Sequence, residues 1–544
     1  MVIVKRLANQ KTRRETGLDY VVGAMNLQTP FGQKLIKEQK PFLPGQEEEL
    51  KLELSHIQKM MDIEKAHEKE TGVLLEAFMM MKDNTLTIER SENAALSVVE
   101  IFELKSLLLL MDKVRKLVTE MAVPEMFIPD DINELLDILD PGGDRLNTFY
   151  IYDSFSEKLA KLRAEKKELE RDVRKEQKKK KNEIRDKYGL SLTPKFDITV
   201  AKSDSQSIEM INEISNLTKL EEDYMSVTYT LAPDEAVATI LKKMDEITAD
   251  IEEEELEVRE KLSKEIWKFK DVLLENCQRI GNLDITLAKA IYADKHDCVM
   301  PEIVTEHVLE YTEGRHLQVE DIINKKGGQY CPVSIALKDG VTCITGANMG
   351  GKTVSLKLTG MIAILAQYGY FVPAKAARVG LSNFMQILIG DSQSIERGLS
   401  SFGSEMEELK EIMDNSKERS LLLIDEIASG TNPVEGLALT KSIVDYLKTQ
   451  QFISLITTHF ETVTEDDDIV NMQVTGLANA DFDKLNREIR YANRRERIEI
   501  IQKYMDYRLA RVDSSKQIPK DALNIAKMLG IDKDIIDRAK QYIK

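Results

Sequence analysis

Apolar positions follow three rhythms along the chain. Over residues ~46–122 they recur at helical spacing, as Leu50, Leu52, Leu54, Ile57 and Met60–Met61 and then the stretch Leu96 to Met111. Pro141-Gly142-Gly143 marks a turn. From Phe155 the spacing becomes heptad-like through Leu159, Leu162, Leu169 and Val173, predicting a helix to about Lys187. A second long helix opens at Pro233-Asp234-Glu235 and carries Val237, Met244, Ile251 and Val258 seven residues apart. Two such helices can fold back as an antiparallel coiled coil, with Phe155 near Trp267 and Lys178–Lys181 opposite Lys242-Lys243. The segment between them holds a polar linker from Thr193-Pro194 to Ser207, then a short amphipathic stretch, Ile208 to Leu220. Beyond residue 300 the rhythm changes to short, mainly apolar runs. Val341–Ile344, Leu421–Ile424 and Phe452–Ile456 predict strands buried on both faces of a parallel sheet. At the carboxyl end, Ile518 to Ile543 reads as two helices split near Gly530, with an apolar face suited to packing or dimerisation.

The chemistry sits where these runs end. Gly346-Ala347-Asn348-Met349-Gly350-Gly351-Lys352-Thr353 follows the first strand and precedes a helical pattern beginning at Val354. Glycines let a backbone wrap an anion, and a helix start points N–H groups at it. Lys352 would reach the outer phosphates of a nucleoside triphosphate, and the Thr353 hydroxyl would ligate Mg²⁺. The second run ends in Asp425-Glu426, placing two carboxylates at the edge where open α/β sheets bind ligands. Asp425 is the expected Mg²⁺ holder, and Glu426 the residue that orients and polarises the attacking water. The third run ends at Thr457-Thr458-His459. A histidine there can sense the γ-phosphate or the water, or simply bond a backbone carbonyl.

Together these segments resemble the MutS family. Thr345 through Thr353 is similar to that family's phosphate loop, with a distinctive Asn-Met-Gly-Gly interior. Gly398-Leu399-Ser400-Ser401-Phe402-Gly403-Ser404-Glu405-Met406 resembles its Ser-Thr-Phe…Glu-Met signature, Asp425 through Pro433 its carboxylate strand and following loop, and Thr457-Thr458-His459-Phe460 its final strand. Phe371-Val372-Pro373-Ala374 and Glu313-Gly314-Arg315-His316 fit as well. Weaker likeness reaches upstream to Gly281-Asn282-Leu283-Asp284, Met300-Pro301-Glu302-Ile303 and Thr29-Pro30-Phe31-Gly32. Ala347, Thr353 and Ser429 depart from the usual Pro, Ser and Arg without removing a phosphate or metal contact.

The resemblance implies an α/β P-loop ATPase domain with a mostly parallel, ABC-like sheet, plus an all-α lever and coiled-coil domain. The expected division is a helical lever over 1–154, an antiparallel coiled-coil arm over 155–275 with an inserted tip at 188–232, a return to the helical core over 276–300, the ATPase over 301–465, and a helical dimerisation region over 466–544. The short stretch before the core carries the expectation that mismatch-reading domains are lacking. It further implies ATP and Mg²⁺ as cofactors, nucleotide contacts from Gly346 to Val354, and a homodimer in which Ser400 and Ser401 of one copy reach the nucleotide of the other. Catalysis would fall to Lys352, Glu426 and His459.

Composition leaves the cargo open. The chain has 544 residues, a net charge of −18 and a pI near 5.1, so its long-range field repels DNA rather than steering it. Residues 156–187 carry 14 basic and 8 acidic side chains, and residues 245–265 carry 10 acidic and 3 basic, so paired arms would neutralise most of this charge. Lys178, Lys179, Lys180 and Lys181 are then the candidate nucleic-acid contact at the tip, or else a solvated charged end. No apolar run approaches the 18 residues of a membrane span, and no apolar leader opens the chain, so no membrane partner and a cytoplasmic setting are expected. The four cysteines lack metal spacing and read as reduced thiols. Two classes of function follow from the resemblance. One is a clamp on double-stranded or branched DNA, related to mismatch repair or recombination. The other is a reactivase that remodels an adenosylcobalamin-dependent aminomutase acting on lysine or ornithine, with a companion subunit, which the segments Tyr504–Leu509 and Pro519–Leu523 resemble.

Overall fold

The computed structural model describes the chain except residues 1–6, 347–350, 391–400, 417, 465, 467, 478, 491, 492, 513–520 and 543–544. It divides into two compact units. Residues 80–118 and 128–277 form one, and residues 1–79, 119–127 and 278–544 the other.

Two long helices dominate the first unit. Helix α1 (Glu157–Tyr188) starts where the Ser156 hydroxyl accepts the Leu159 N–H and stops at Gly189, whose φ of 71° ends the helix. Helix α2 (Glu235–Lys268) starts at Asp234, whose carboxylate accepts the Val237 N–H at 3.0 Å. They run antiparallel. Ser156 donates to Glu254 at 2.7 Å, Arg163 to Glu255 at 2.7 Å, Lys243 pairs with Glu165 at 2.8 Å, and Lys180 lies 3.7 Å from Asp234. Basic and acidic faces therefore do neutralise each other across the seam, over a line of buried Leu159, Val173, Ile247, Ile251, Val258 and Leu262. The register differs from the expected one. The start of α1 meets Glu254 rather than Trp267, and Lys180 meets Asp234 rather than Lys242-Lys243, because the Ser156–Glu254 contact and the Asp234 cap anchor the two ends.

This unit is not all-α. Strands β1 (Asp197–Ala201), β2 (Leu217–Glu222) and β3 (Ser226–Leu231) form an antiparallel sheet in the order β1-β3-β2. It has its own core of Ile184, Leu192, Val200, Ile211, Ile214, Leu217, Val227, Tyr229 and Leu231. The period-two alternation Ser226-Val227-Thr228-Tyr229-Thr230-Leu231 is the signal for β3, and it is short enough to pass for a linker.

In the second unit, β4 (Glu302–Val304), β5 (Val308–Gly314), β6 (Val333–Lys338) and β8 (Ala376–Gly380) make a four-stranded sheet, β4-β8-β5-β6. A six-stranded sheet contains β7 (Gly340–Thr345), β9 (Phe384–Leu388), β10 (Ser420–Asp425), β11 (Phe452–Thr457), β12 (Val470–Gly476) and β13 (Asp506–Arg511), in the order β13-β12-β7-β11-β10-β9. All its pairings are parallel except β12–β13. The three apolar runs are the central strands, as their lack of alternation requires. The segment 466–544, expected to be helical throughout, instead supplies β12 and β13 as well as helices. Val470-Asn471-Met472-Gln473-Val474-Thr475 alternates with period two, a strand signal short enough to be overlooked. No described helix is long and apolar enough to cross a membrane. All four cysteines are free, and burial pushes the Cys343 thiol up to about 12, which leaves it unreactive inside β7.

Candidate nucleotide site

Parallel pairing fixes what meets at the carboxyl ends of the central strands. Asp425 stands beside Thr457, and Thr457 beside Ile344, so the exits of β10, β11 and β7 lie side by side. Strand β7 leads through Gly346 (φ 126°) and Gly351 (φ 76°) into helix α3 (Lys352–Gln367). Both dihedrals lie where glycine alone moves freely. Helix α3 is buried almost all round, so its first turn cannot shift independently of the sheet.

Lys352 is 3 % exposed. Its Nζ donates to the Gly346 carbonyl at 2.9 Å and lies 3.0 Å from Glu426 Oε1 and 3.2 Å from His459 Nδ1. His459 Nε2 lies 2.8 Å from the same Glu426 oxygen. The network fits a tautomer in which Nε2–H donates to Glu426 and Nδ1 accepts from Lys352. Thr353 Oγ1 donates to Asp425 Oδ2 at 2.8 Å. A hydroxyl and a carboxylate oxygen this close are the hard donors Mg²⁺ takes alongside phosphate oxygens and water, so the residues fit that ion.

Two further residues, Thr457 and Glu405, hold the carboxylates and the turn after them; both lie inside the motifs, which do not by themselves indicate this role. Thr457, fully buried, donates to Asp425 Oδ1 at 2.5 Å, and its hydroxyl accepts the Glu426 N–H at 3.0 Å. Glu426 (φ 49°) and Ala428 (φ 59°) both occupy the left-handed region without being glycine. Such a turn persists only where its surroundings over-determine it. The Thr457 hydroxyl and carbonyl fix one end, and Glu405 fixes the other by accepting the Ala428 N–H at 2.8 Å. Burial raises the Glu405 carboxyl above its ordinary range, against the pull of that N–H. Thr457 was findable from its register opposite Asp425. Glu405 is the Glu of the Glu-Met signature, but its role cannot be read locally, because it depends on helix α4 (Ser401–Asn415) packing near β9 and the turn after β10. Tyr507 on β13 is a third addition, its ring 3.0 Å from where a Cβ on Gly351 would stand.

Of the residues expected to bind nucleotide, Gly346, Gly351, Lys352, Thr353 and Val354 lie at this β7–α3 junction. Ala347, Asn348, Met349, Gly350 and Ser400 lie outside the described residues, as does the side chain of Ser401. Lys178 and Lys179 are exposed on α1. Lys179 lies 3.9 Å from Glu176, Lys180 pairs with Glu183 at 3.1 Å, and Lys181 donates to the Thr193 carbonyl at 3.0 Å, so three of the four lysines of the proposed basic tip have internal partners.

The family model for MutS domain V matches residues 342–544, which include this site. The DNA mismatch repair protein MutS of Salinibacter ruber is 31% identical over 62% of the chain and 36% of its own length. Endonuclease MutS2 of Clostridium tetani is 33% identical over 54% of the chain and 34% of its own length. Endonuclease MutS2 of Clostridium botulinum reaches 40% over 33% of the chain and 23% of its own length. The matches thus span about a third or less of these curated relatives. They make the chain similar to MutS-family proteins, through domain V over residues 342–544.

Proposed function

We propose that the chain is a MutS-type ATPase that closes as a dimer around ATP and couples hydrolysis to movement of its helical arm. The observation that carries this reading is the meeting of Lys352, Thr353, Asp425, Glu426 and His459 at three adjacent strand ends. No covalent bond to phosphate is needed, because phosphoryl transfer to water is a matter of positioning and charge stabilisation. Lys352 holds the outer phosphates. When bound, Mg²⁺ offsets charge on the phosphate oxygens, and Thr353 and Asp425 would hold it. Glu426 accepts a proton from the attacking water, and His459 fixes the orientation of its carboxylate. A phosphate within reach of Lys352 competes with Glu426 for the ammonium protons, which ties binding to release of the base. Ser400 and Ser401 of a second copy complete the site.

The cargo favoured here is double-stranded or branched DNA, supported by the name of the Salinibacter ruber relative. Exposed Lys178 and Lys179 are the proposed contacts. A protein cargo is the second reading. It is favoured by the three-stranded module, where residues 190–232 carry seven carboxylates against three lysines. Phosphate release by the full chain and by Glu426→Gln, with molar mass read by light scattering, tests the engine. The variant is expected to keep ATP, remain dimeric and turn over at least ~100-fold more slowly. Turnover at the wild-type rate would mean the water is handled elsewhere. Stimulation by branched DNA against stimulation by an inactivated cobalamin-dependent aminomutase separates the two cargoes.

A further inference from the structure

The segment Leu7–Leu18 belongs to none of the motifs, yet six of its twelve residues are buried. Leu7, Thr12, Thr16 and Leu18 are fully inaccessible. It lies along β9, the outermost strand on its side of the sheet, where the Leu7 carbonyl accepts the Met385 N–H at 2.8 Å and the Thr12 hydroxyl accepts the Ile387 N–H at 3.2 Å. Covering an open edge is a sufficient reason for a chain to lie there. It does not explain the charged contacts.

The short helix Gln10–Glu15 sends one side chain to each half of the site. Lys11 Nζ reaches both carboxylate oxygens of Glu408 on α4, at 2.7 and 2.8 Å, and the Ile389 carbonyl at 3.3 Å. Glu15 Oε2 accepts from Lys357 on α3 at 2.8 Å. The side chains of both pairs are between 20% and 28% exposed, so they are screened less than surface pairs. One turn before Glu408 stands Glu405, which holds the Ala428 N–H two residues beyond Glu426. Four residues before Lys357 stands Thr353, and before it Lys352, which meets Glu426 at 3.0 Å. The contacts therefore close a ring through the helix Gln10–Glu15, α4, the strained turn and α3, back to that helix. Thr16 tightens it, since a Cβ on Gly360 of α3 would lie 2.5 Å from the Thr16 methyl.

We propose that the amino-terminal helix is a strap that sets the separation of Lys352 and Glu426, making Lys11 and Glu15 positioning residues for ATP turnover. Neither touches nucleotide; Lys11 acts through the helix that holds the turn after Glu426, and Glu15 through the helix that begins at Lys352. The proposal rests on the ATPase reading above.

The test uses the full chain with Lys11→Glu, Glu408→Lys and the double reversal, measured by ATP kcat and KM and by amide hydrogen exchange over residues 401–415 and 425–430. Each single reversal should lower kcat about tenfold, leave KM within about threefold and speed exchange in both segments. The double reversal should restore kcat and exchange to within about twofold, because the pair is remade with opposite polarity. Wild-type kcat in the singles, or a double no better than either single, overturns the strap. So does faster exchange with unchanged kcat, which would leave the segment only an edge cover. A wild-type chain that does not hydrolyse ATP at all sinks the ATPase reading instead.

Discussion

Replacing Thr457 with Val isolates the bond that holds the metal-side carboxylate. The change keeps the β-branched shape that β11 requires and removes only the hydroxyl. Asp425 Oδ1 loses a donor at 2.5 Å, while Oδ2 keeps Thr353 at 2.8 Å. The Glu426 N–H loses one of two acceptors and retains the Thr457 carbonyl at 3.1 Å, so no donor is orphaned. The loss is therefore one charge-assisted hydrogen bond at a fully buried position, about 1.5–3 kcal/mol. If it falls on the transition state rather than on binding, turnover drops about 10- to 150-fold, since 1.4 kcal/mol corresponds to a factor of ten. ATP affinity should stay within about threefold, because Lys352 and the glycine loop are untouched. Phosphate release at saturating ATP over a Mg²⁺ titration, beside nucleotide affinity by calorimetry, reads both quantities. Turnover within twofold of wild type would show that the Thr457 hydroxyl does not position Asp425. An equal loss of affinity would show that it acts through folding of the site.

Two other predictions probe the surrounding fold. His316 is 1% exposed, neither ring nitrogen has a hydrogen-bond partner among the described residues, and burial pushes its imidazole down to about 4, with the Lys357 charge adding to the effect. Between pH 6.5 and 4 the unfolded chain binds a proton that the folded one refuses. Stability should therefore fall as pH drops through that window, by about 3 kcal/mol in total, and a thermal scan of His316→Phe should lose this part of the pH dependence. Lys105 and Asp140 form a pair 3.1 Å apart, 1% and 4% exposed. Lys105→Met strands the carboxylate, partly relieved by the Arg145 N–H, and should destabilise the arm unit by about 3 kcal/mol in urea unfolding, with Asp140→Asn recovering part of it.

What was legible in the sequence follows from range. Strands β7, β10 and β11 are continuous apolar runs, so period and flanking glycine or carboxylates were enough to place them and the residues at their ends. The long helix α1 announced itself through heptad spacing and α2 through its start at Pro233-Asp234-Glu235, but their register depends on which side chains meet across the seam, and no local pattern encodes that. The alternating β3 and β12 are too short for periodicity to outweigh their polar neighbours. The ring through Lys11, Glu15, Glu405 and Glu408 joins positions nearly 400 residues apart. Its members look like ordinary surface charges until the fold brings them together.

The triphosphate site itself is tested most directly by calorimetric binding of ATP and of adenosine to the full chain and to Lys352→Met. Lys352 should contribute one charge-assisted contact to phosphate and none to the nucleoside. ATP affinity should fall by about 10- to 150-fold in the variant, with any adenosine binding unchanged. Equal ATP affinity in the two chains would contradict a phosphate site at this loop.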